Sequence, residues 1–193
     1  GEPPVYALDG GVYTASAAVN WARGLGLFES FDALNALQGE AAIDQGLAFV
    51  PALSGLACPY WDRRARGLWV GLSIDHGRDA MMKSILEGVA FRAAEVIAAM
   101  QAQVPSTAPV SIDGGMSRNP YFTRFLAEVL DREIRVSGTA ELTGSGTIRL
   151  AARASGVAVE ENSQWTAVRP EQSRSAQSKV FSEAVKLART WGS

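Results

Sequence analysis

The segment Asp113-Gly114-Gly115-Met116-Ser117-Arg118-Asn119 carries the residue types best suited to holding a phosphate-bearing ligand. Two glycines without Cβ let a ligand reach backbone amides, and a helix opening at Asn119-Pro120 would favour negative charge at its start. No third glycine stands at dinucleotide spacing and no Gly-Lys-Ser/Thr follows, so neither a Rossmann nor a Walker fingerprint is present. Taken alone, the segment reads more simply as a tight turn in which Asn119 caps the helix and Pro120 takes its first position. Thr143-Gly144-Ser145-Gly146-Thr147 is a second small-residue loop opening a helix, which could face the same ligand or simply begin the helix. The loop 59–67, with Tyr60, Trp61, Asp62, Arg63, Arg64 and Arg66, is aromatic and basic and could line a cleft. Aromatic side chains in such loops more often pack than stack on a base. Asp79, Glu87 and Glu141 show no pairing that suggests acid/base chemistry and read as solvated or helix-end charges.

Bulk properties narrow the functional classes. The chain has 193 residues, 47% hydrophobic and 20% charged, a globular composition with enough apolar material for a core. Eighteen basic against twenty acidic residues leave a net charge of −2 with no long like-charge run, which argues against nucleic acid as a partner. One cysteine and one histidine exclude an intrachain disulfide and the usual Cys/His metal cages, and a cytoplasmic setting is expected. No run of eighteen apolar residues exists, so a membrane partner is not expected. The absence of an initial methionine suggests that upstream sequence belongs to the protein.

The elements that must position these residues follow from periodicity. A helix is predicted over 13–23 with Tyr13, Ala17 and Trp21 on one side. The run 47–53 contains Pro51 and reads as an edge strand, and 67–72 as a further strand. Asp79 is placed to cap a long helix ending near Gln103, with Met82, Leu86, Val89, Ala93, Ile97 and Met100 at three-or-four spacing. A strand over 108–113 feeds the Gly-Gly turn, and a helix from Asn119-Pro120 carries Phe122, Phe125, Leu126, Val129 and Leu130 on one face. Residues 133–137 read as a strand, a helix reaches Ala154 and stops at Gly156, and 157–175 read as irregular. A last helix over 175–191 carries an apolar stripe of Val180, Ala184, Leu187 and Trp191. Alternating strands and helices of these lengths argue for a layered α/β domain.

Read in order, four segments resemble the C-terminal lobe of the FGGY carbohydrate kinases, most closely their glycerol-kinase branch. They are Tyr6-Ala-Leu-Asp9-Gly10-Gly-Val-Tyr13; Val50-Pro-Ala-Leu-Ser-Gly-Leu-Ala-Cys58-Pro-Tyr-Trp-Asp62 with Ala65-Arg66-Gly67; Ser84-Ile-Leu-Glu87-Gly-Val-Ala-Phe91; and Val110-Ser-Ile-Asp113-Gly-Gly-Met116 with Asn119. The resemblance covers 6–156. It implies an actin-like ATPase (ribonuclease H-like) lobe, a mixed sheet flanked by helices and lacking its first strands. In that fold, two lobes close over ATP or ADP with Mg²⁺ and a small polyol or sugar. Residues 1–193 would be the C-terminal, nucleotide-side lobe, with the substrate residues, the catalytic base and its own N-terminal lobe upstream. The nucleotide contacts carry over to Gly115 and Asn119, with Gly114 beside them, and to Ser16 and Asn20. Ser16 stands where glycerol kinases have glycine, and Asn20 where they have glutamine.

The resemblance therefore implies ATP-dependent phosphorylation of glycerol or a related polyol by the intact protein, with this segment alone expected to be inactive. A homo-oligomer is expected. The alternatives are another FGGY sugar kinase, for erythritol, xylulose or another pentulose, and a non-catalytic nucleotide-binding lobe.

Overall fold

The computed structural model describes residues 6–139, 141–158 and 164–191. Its centre is the helix α3, Arg78–Gln103, in which every residue from 82 to 92 is buried. A helix buried on all sides has no solvent face to spare along that stretch, and α3 is wrapped by other elements. They are α1 (Ala15–Gly24), the buried strand β1 (Ala48–Val50), α4 (Pro120–Leu130) and α6 (Ser175–Trp191). Gly88 permits the closest of these approaches, because a Cβ there would lie 2.1 Å from the Phe49 carbonyl oxygen.

The strands form two sheets. Among the described residues β1 pairs antiparallel with β2 (Leu68–Val70) and with no other strand, so it is the expected edge strand, kept buried by α3 and α6. β3 (Val110–Ile112) pairs parallel with β4 (Ile134–Ser137), the crossover being a 3₁₀ turn at Gly115–Arg118 followed by α4. β4 pairs antiparallel with β5 (Trp165–Val168), making the second sheet mixed. The short helix α2 (Phe31–Asn35) starts at Ser30, whose hydroxyl accepts from the Ala33 N–H at 3.2 Å. The helix α5 (Leu142–Ala154) contains no buried residue.

Six expectations are corrected. The long helix is preceded by Gly77 in an extended conformation, and Asp79 lies in its first turn without capping it. Glu87 is 2% exposed, far from a solvated charge. Thr143–Thr147 is no loop, because α5 already begins at Leu142 and includes both glycines. On α1 the buried side is Ala18, Val19 and Ala22, while Tyr13 and Ala17 are exposed. On α6 the buried side is Phe181, Ala184, Val185 and Ala188, with Phe181 stacked on Phe91 at 4.7 Å; Val180, Leu187 and Trp191 face out. Two apolar stripes lie side by side on that helix, and the one with alanines allows closer packing. Finally, the stretch 157–175 contains β5 outside residues 159–163, which are not among the described residues. Only Val168 of β5 is partly covered, so an outer strand of this kind lacks the apolar alternation that marks most strands.

Candidate functional site

Strand β3 ends at Ile112, and the chain reverses at Gly114, which has φ 83° and ψ −177°. That region is open essentially to glycine alone. Ser117 locks the turn, its hydroxyl donating to the Gly114 carbonyl at 2.8 Å. Gly115 differs from Gly114: a Cβ added at Gly115 would meet no atom within 4 Å, so nothing in the packing requires glycine there.

Gly115 borders a cavity of about 420 Å³. Ser16 and Asn20, one turn apart on α1, line it together with Val19. Phe31, Leu34 and Asn35 of α2 form another wall, Leu86 of α3 contributes to the lining, and Met116, Arg118 and Asn119 follow Gly115 along the turn. Four of the five residues singled out from the sequence thus meet at one cavity, across about a hundred residues of chain. Gly114 does not line it. It shapes the turn that does. Met116 and Arg118 belong to the segment singled out from the sequence, whereas Phe31, Leu34 and Asn35 of α2 escaped sequence reading. Ser30 with Asp32 in the first turn was the available signal for α2, but a five-residue helix has too few positions to show a period.

Asn119 is 3% exposed, and its amide is occupied by the fold. Its oxygen accepts from the Phe122 N–H at 2.8 Å, while its nitrogen donates to the Leu34 carbonyl and to the Asn35 side-chain oxygen, each at 3.0 Å. This one side chain caps α4 and ties it to the end of α2. The start of α4 is therefore already capped and separated from Gly114 by the 3₁₀ turn, which Gly115 opens, unlike the open helix start that the sequence suggested. The charged residue on the lining is Arg118, whose exposed side chain makes no ion pair among the described residues.

Close in the chain to the lining residues Leu86 and Asn119, Glu87 and Tyr121 belong to a buried polar layer. The Glu87 carboxylate accepts from the Ala42 and Ile43 N–H groups at 2.7 and 2.9 Å and from the Tyr121 hydroxyl. Burial pushes the Glu87 carboxyl above its usual range, opposed by the Tyr121 hydroxyl and the two amides. Burial and the adjacent Glu87 charge push the Tyr121 phenol well above its ordinary value, so it stays a donor. Arg174 joins the same layer, donating to Glu128 at 2.8 Å and pairing with Asp44.

The aromatic loop lies elsewhere. Tyr60 packs beneath the Arg92 and Arg189 guanidiniums, 4.8 and 5.1 Å from its ring centre, and its hydroxyl bonds Glu95 at 3.1 Å. Neither it nor Thr143–Thr147 lines the cavity. Among the described residues no group of three or more His, Cys, Asp or Glu could hold a metal ion, and no helix is long and apolar enough to cross a membrane.

The sequence profile of the FGGY family of carbohydrate kinases, C-terminal domain, matches residues 1–155. The chain belongs to the FGGY family of carbohydrate kinases. Glycerol kinase of Alkalilimnicola ehrlichii is 39% identical over 154 residues, 79% of this chain and 31% of that protein. Glycerol kinase of Gloeobacter violaceus is 39% identical over 144 residues, 73% of this chain and 29% of that protein. The chain thus spans about a third of the length of these relatives. Among solved structures, Plasmodium falciparum glycerol kinase with ADP superposes with a TM-score of 0.77 at 24% identity, covering 93% of this chain and 37% of that one. A ligand-bound xylulose kinase from Lactobacillus acidophilus superposes at 0.68 with 25% identity, covering 93% and 38%. The fold described here, with helices flanking a mixed sheet, has the actin-like ATPase architecture.

Proposed function

We propose that the cavity is the adenosine side of an ATP site, and that residues 1–193 are the C-terminal, nucleotide-side lobe of a kinase that phosphorylates glycerol or a related polyol. The observation that carries this reading is the meeting of Ser16 and Asn20 with the Gly115-Asn119 turn at one cavity. Its lining combines apolar walls from Val19, Leu34, Leu86 and Met116, suited to a flat heteroaromatic base, with a few polar groups at the margin. The bare backbone at Gly115 lets a ligand approach closely, and Arg118 offers a cation toward the phosphates. Mg²⁺ would be held by the phosphates and by the opposing lobe, which would also bring the polyol and the base that takes its proton. The assignment to a cytoplasmic enzyme belongs to the same proposal.

Phosphoryl transfer rests on positioning and charge stabilisation, and one wall of a cleft provides little of either. The chain by itself should bind ADP weakly and transfer nothing. The test is an assay with ATP, Mg²⁺ and glycerol, first with the chain alone and then with the N-terminal lobe of a glycerol kinase relative added. Glycerol 3-phosphate formed only on mixing supports the proposal; formation by the chain alone overturns the division of labour. Xylulose as acceptor, with the N-terminal lobe of a xylulose kinase added instead, tests the second reading, which rests on the xylulose-kinase structure that superposes over the same 93% of this chain.

A further inference from the structure

The hydrogen-bonding polarity of Asn35 is dictated by the backbone through a second amide. The Phe122 N–H is a donor, so the Asn119 atom 2.8 Å away must be its oxygen. The Leu34 carbonyl is an acceptor, so the Asn119 atom 3.0 Å from it must be the nitrogen, which agrees. That same nitrogen lies 3.0 Å from the Asn35 side chain, and the atom receiving it is therefore the Asn35 oxygen. Turning either amide over would set donor against donor or acceptor against acceptor. Asn35 is thus left with its amide nitrogen, two N–H donors, making no hydrogen bond among the described residues, on an exposed side chain that lines the cavity.

We propose that Asn35 is the residue that reads the base, presenting a donor to a ring-nitrogen acceptor of a purine, while Asn119 acts as the positioning residue that holds its amide in that sense. The assignment rests on the nucleotide reading of the cavity. Asn119 cannot take the role itself, because both of its N–H groups are spent on Leu34 and Asn35. Leu34, the neighbour of Asn35 on α2, belongs to the apolar wall, so the donor stands beside the surface on which a base would lie. A site built around a donor discriminates against a ligand that lacks the matching acceptor more strongly than an apolar wall discriminates by size.

The experiment uses the 193-residue chain, ligand-observed NMR at millimolar concentrations, and ADP with its 1-deaza, 3-deaza and 7-deaza analogues, each lacking one ring nitrogen. In the unaltered chain one analogue should bind roughly threefold to tenfold more weakly than ADP. In Asn35→Ala, ADP should fall to the level of that analogue, and the analogue should fall no further. Asn35→Asp retains an acceptor for Asn119 but replaces the donor with a charged acceptor, and it should bind ADP more weakly than Asn35→Ala does. Equal losses for every analogue in the unaltered chain and Asn35→Ala, or normal ADP binding by Asn35→Asp, overturn this assignment while leaving the nucleotide reading in place. No ADP binding by the unaltered chain overturns the nucleotide reading, and this assignment with it.

Discussion

Two glycine-bearing segments of similar composition, 113–119 and 143–147, have opposite physical roles. In the first, Gly114 adopts a backbone conformation that other residues resist, Gly115 leaves open space at a cavity, and Asn119 binds the segment to two helices. In the second, Gly144 and Gly146 sit inside α5, where they contribute no turn and no contact that requires them. A glycine in a helix interior only weakens it. Small residues therefore become a site where buried polar groups hold the backbone in a special shape, and the predictions probe that difference.

The largest effect should come from the buried polar layer that joins Glu87 to Tyr121, at the start of the helix that follows the first segment. Glu87→Ala leaves the Ala42 and Ile43 amides and the Tyr121 hydroxyl without their partner. Each unmet buried group costs about 1–3 kcal/mol, so a loss of about 4 kcal/mol or more is expected in urea unfolding. The same residue has a pH signature. Its folded pKa is raised above the ordinary value of 4.5, so the native state keeps a proton that the unfolded chain releases. The stability linked to that proton is complete below the unfolded pKa and declines as pH rises through the folded pKa. Unfolding midpoints measured upward from pH 4 should show this decline in the unaltered chain and a shallower one in Glu87→Ala, where the Glu95 carboxyl, also raised by burial, still contributes.

Next in size is Asn119→Ala, which removes a helix cap and the tie to α2. A loss of about 2 kcal/mol is expected, together with weaker ADP binding because the α2 wall is released; unchanged binding would show that α2 is positioned without it. Gly115→Val should act on binding more than on folding. Its side chain enters open space, so stability should change by less than about 1 kcal/mol. ADP affinity should fall at least about tenfold, or about 1.4 kcal/mol, and normal affinity would remove the turn from the nucleotide site. The smallest effect tests the other segment. Gly146→Ala should stabilise α5 by about 0.5–1 kcal/mol, read by amide exchange in that helix, with ADP binding unaltered. Weakened binding would erase the contrast between the two segments.

Much of the scaffold was legible in the residues. The spacing of Met82, Leu86 and Val89 marked α3, Asn119-Pro120 marked the start of α4, and the strand, glycine turn and helix around 110–130 were readable in order. Those signals are local: a side chain capping its own helix or a proline at a first turn acts within a few residues, whatever the rest of the chain does. The motif segments also carried the family and two residues that reach the cavity, Gly115 and Asn119, while Ser16 and Asn20 followed from the family resemblance.

Only the tertiary structure decided which of two apolar stripes on α6 is buried, since Val180, Leu187 and Trp191 are as hydrophobic as the stripe that packs. It alone turned Glu87 from an apparent surface charge into a buried acceptor for three donors, whose amides lie forty-odd residues upstream. It alone brought α2 to the cavity and set the direction of the Asn35 amide, a consequence of one hydrogen bond to a residue 84 positions away. Hydrophobic packing is non-directional and long-range pairing has no sequence period, so the residues define which elements form, while the meeting of those elements determines which of their side chains can act.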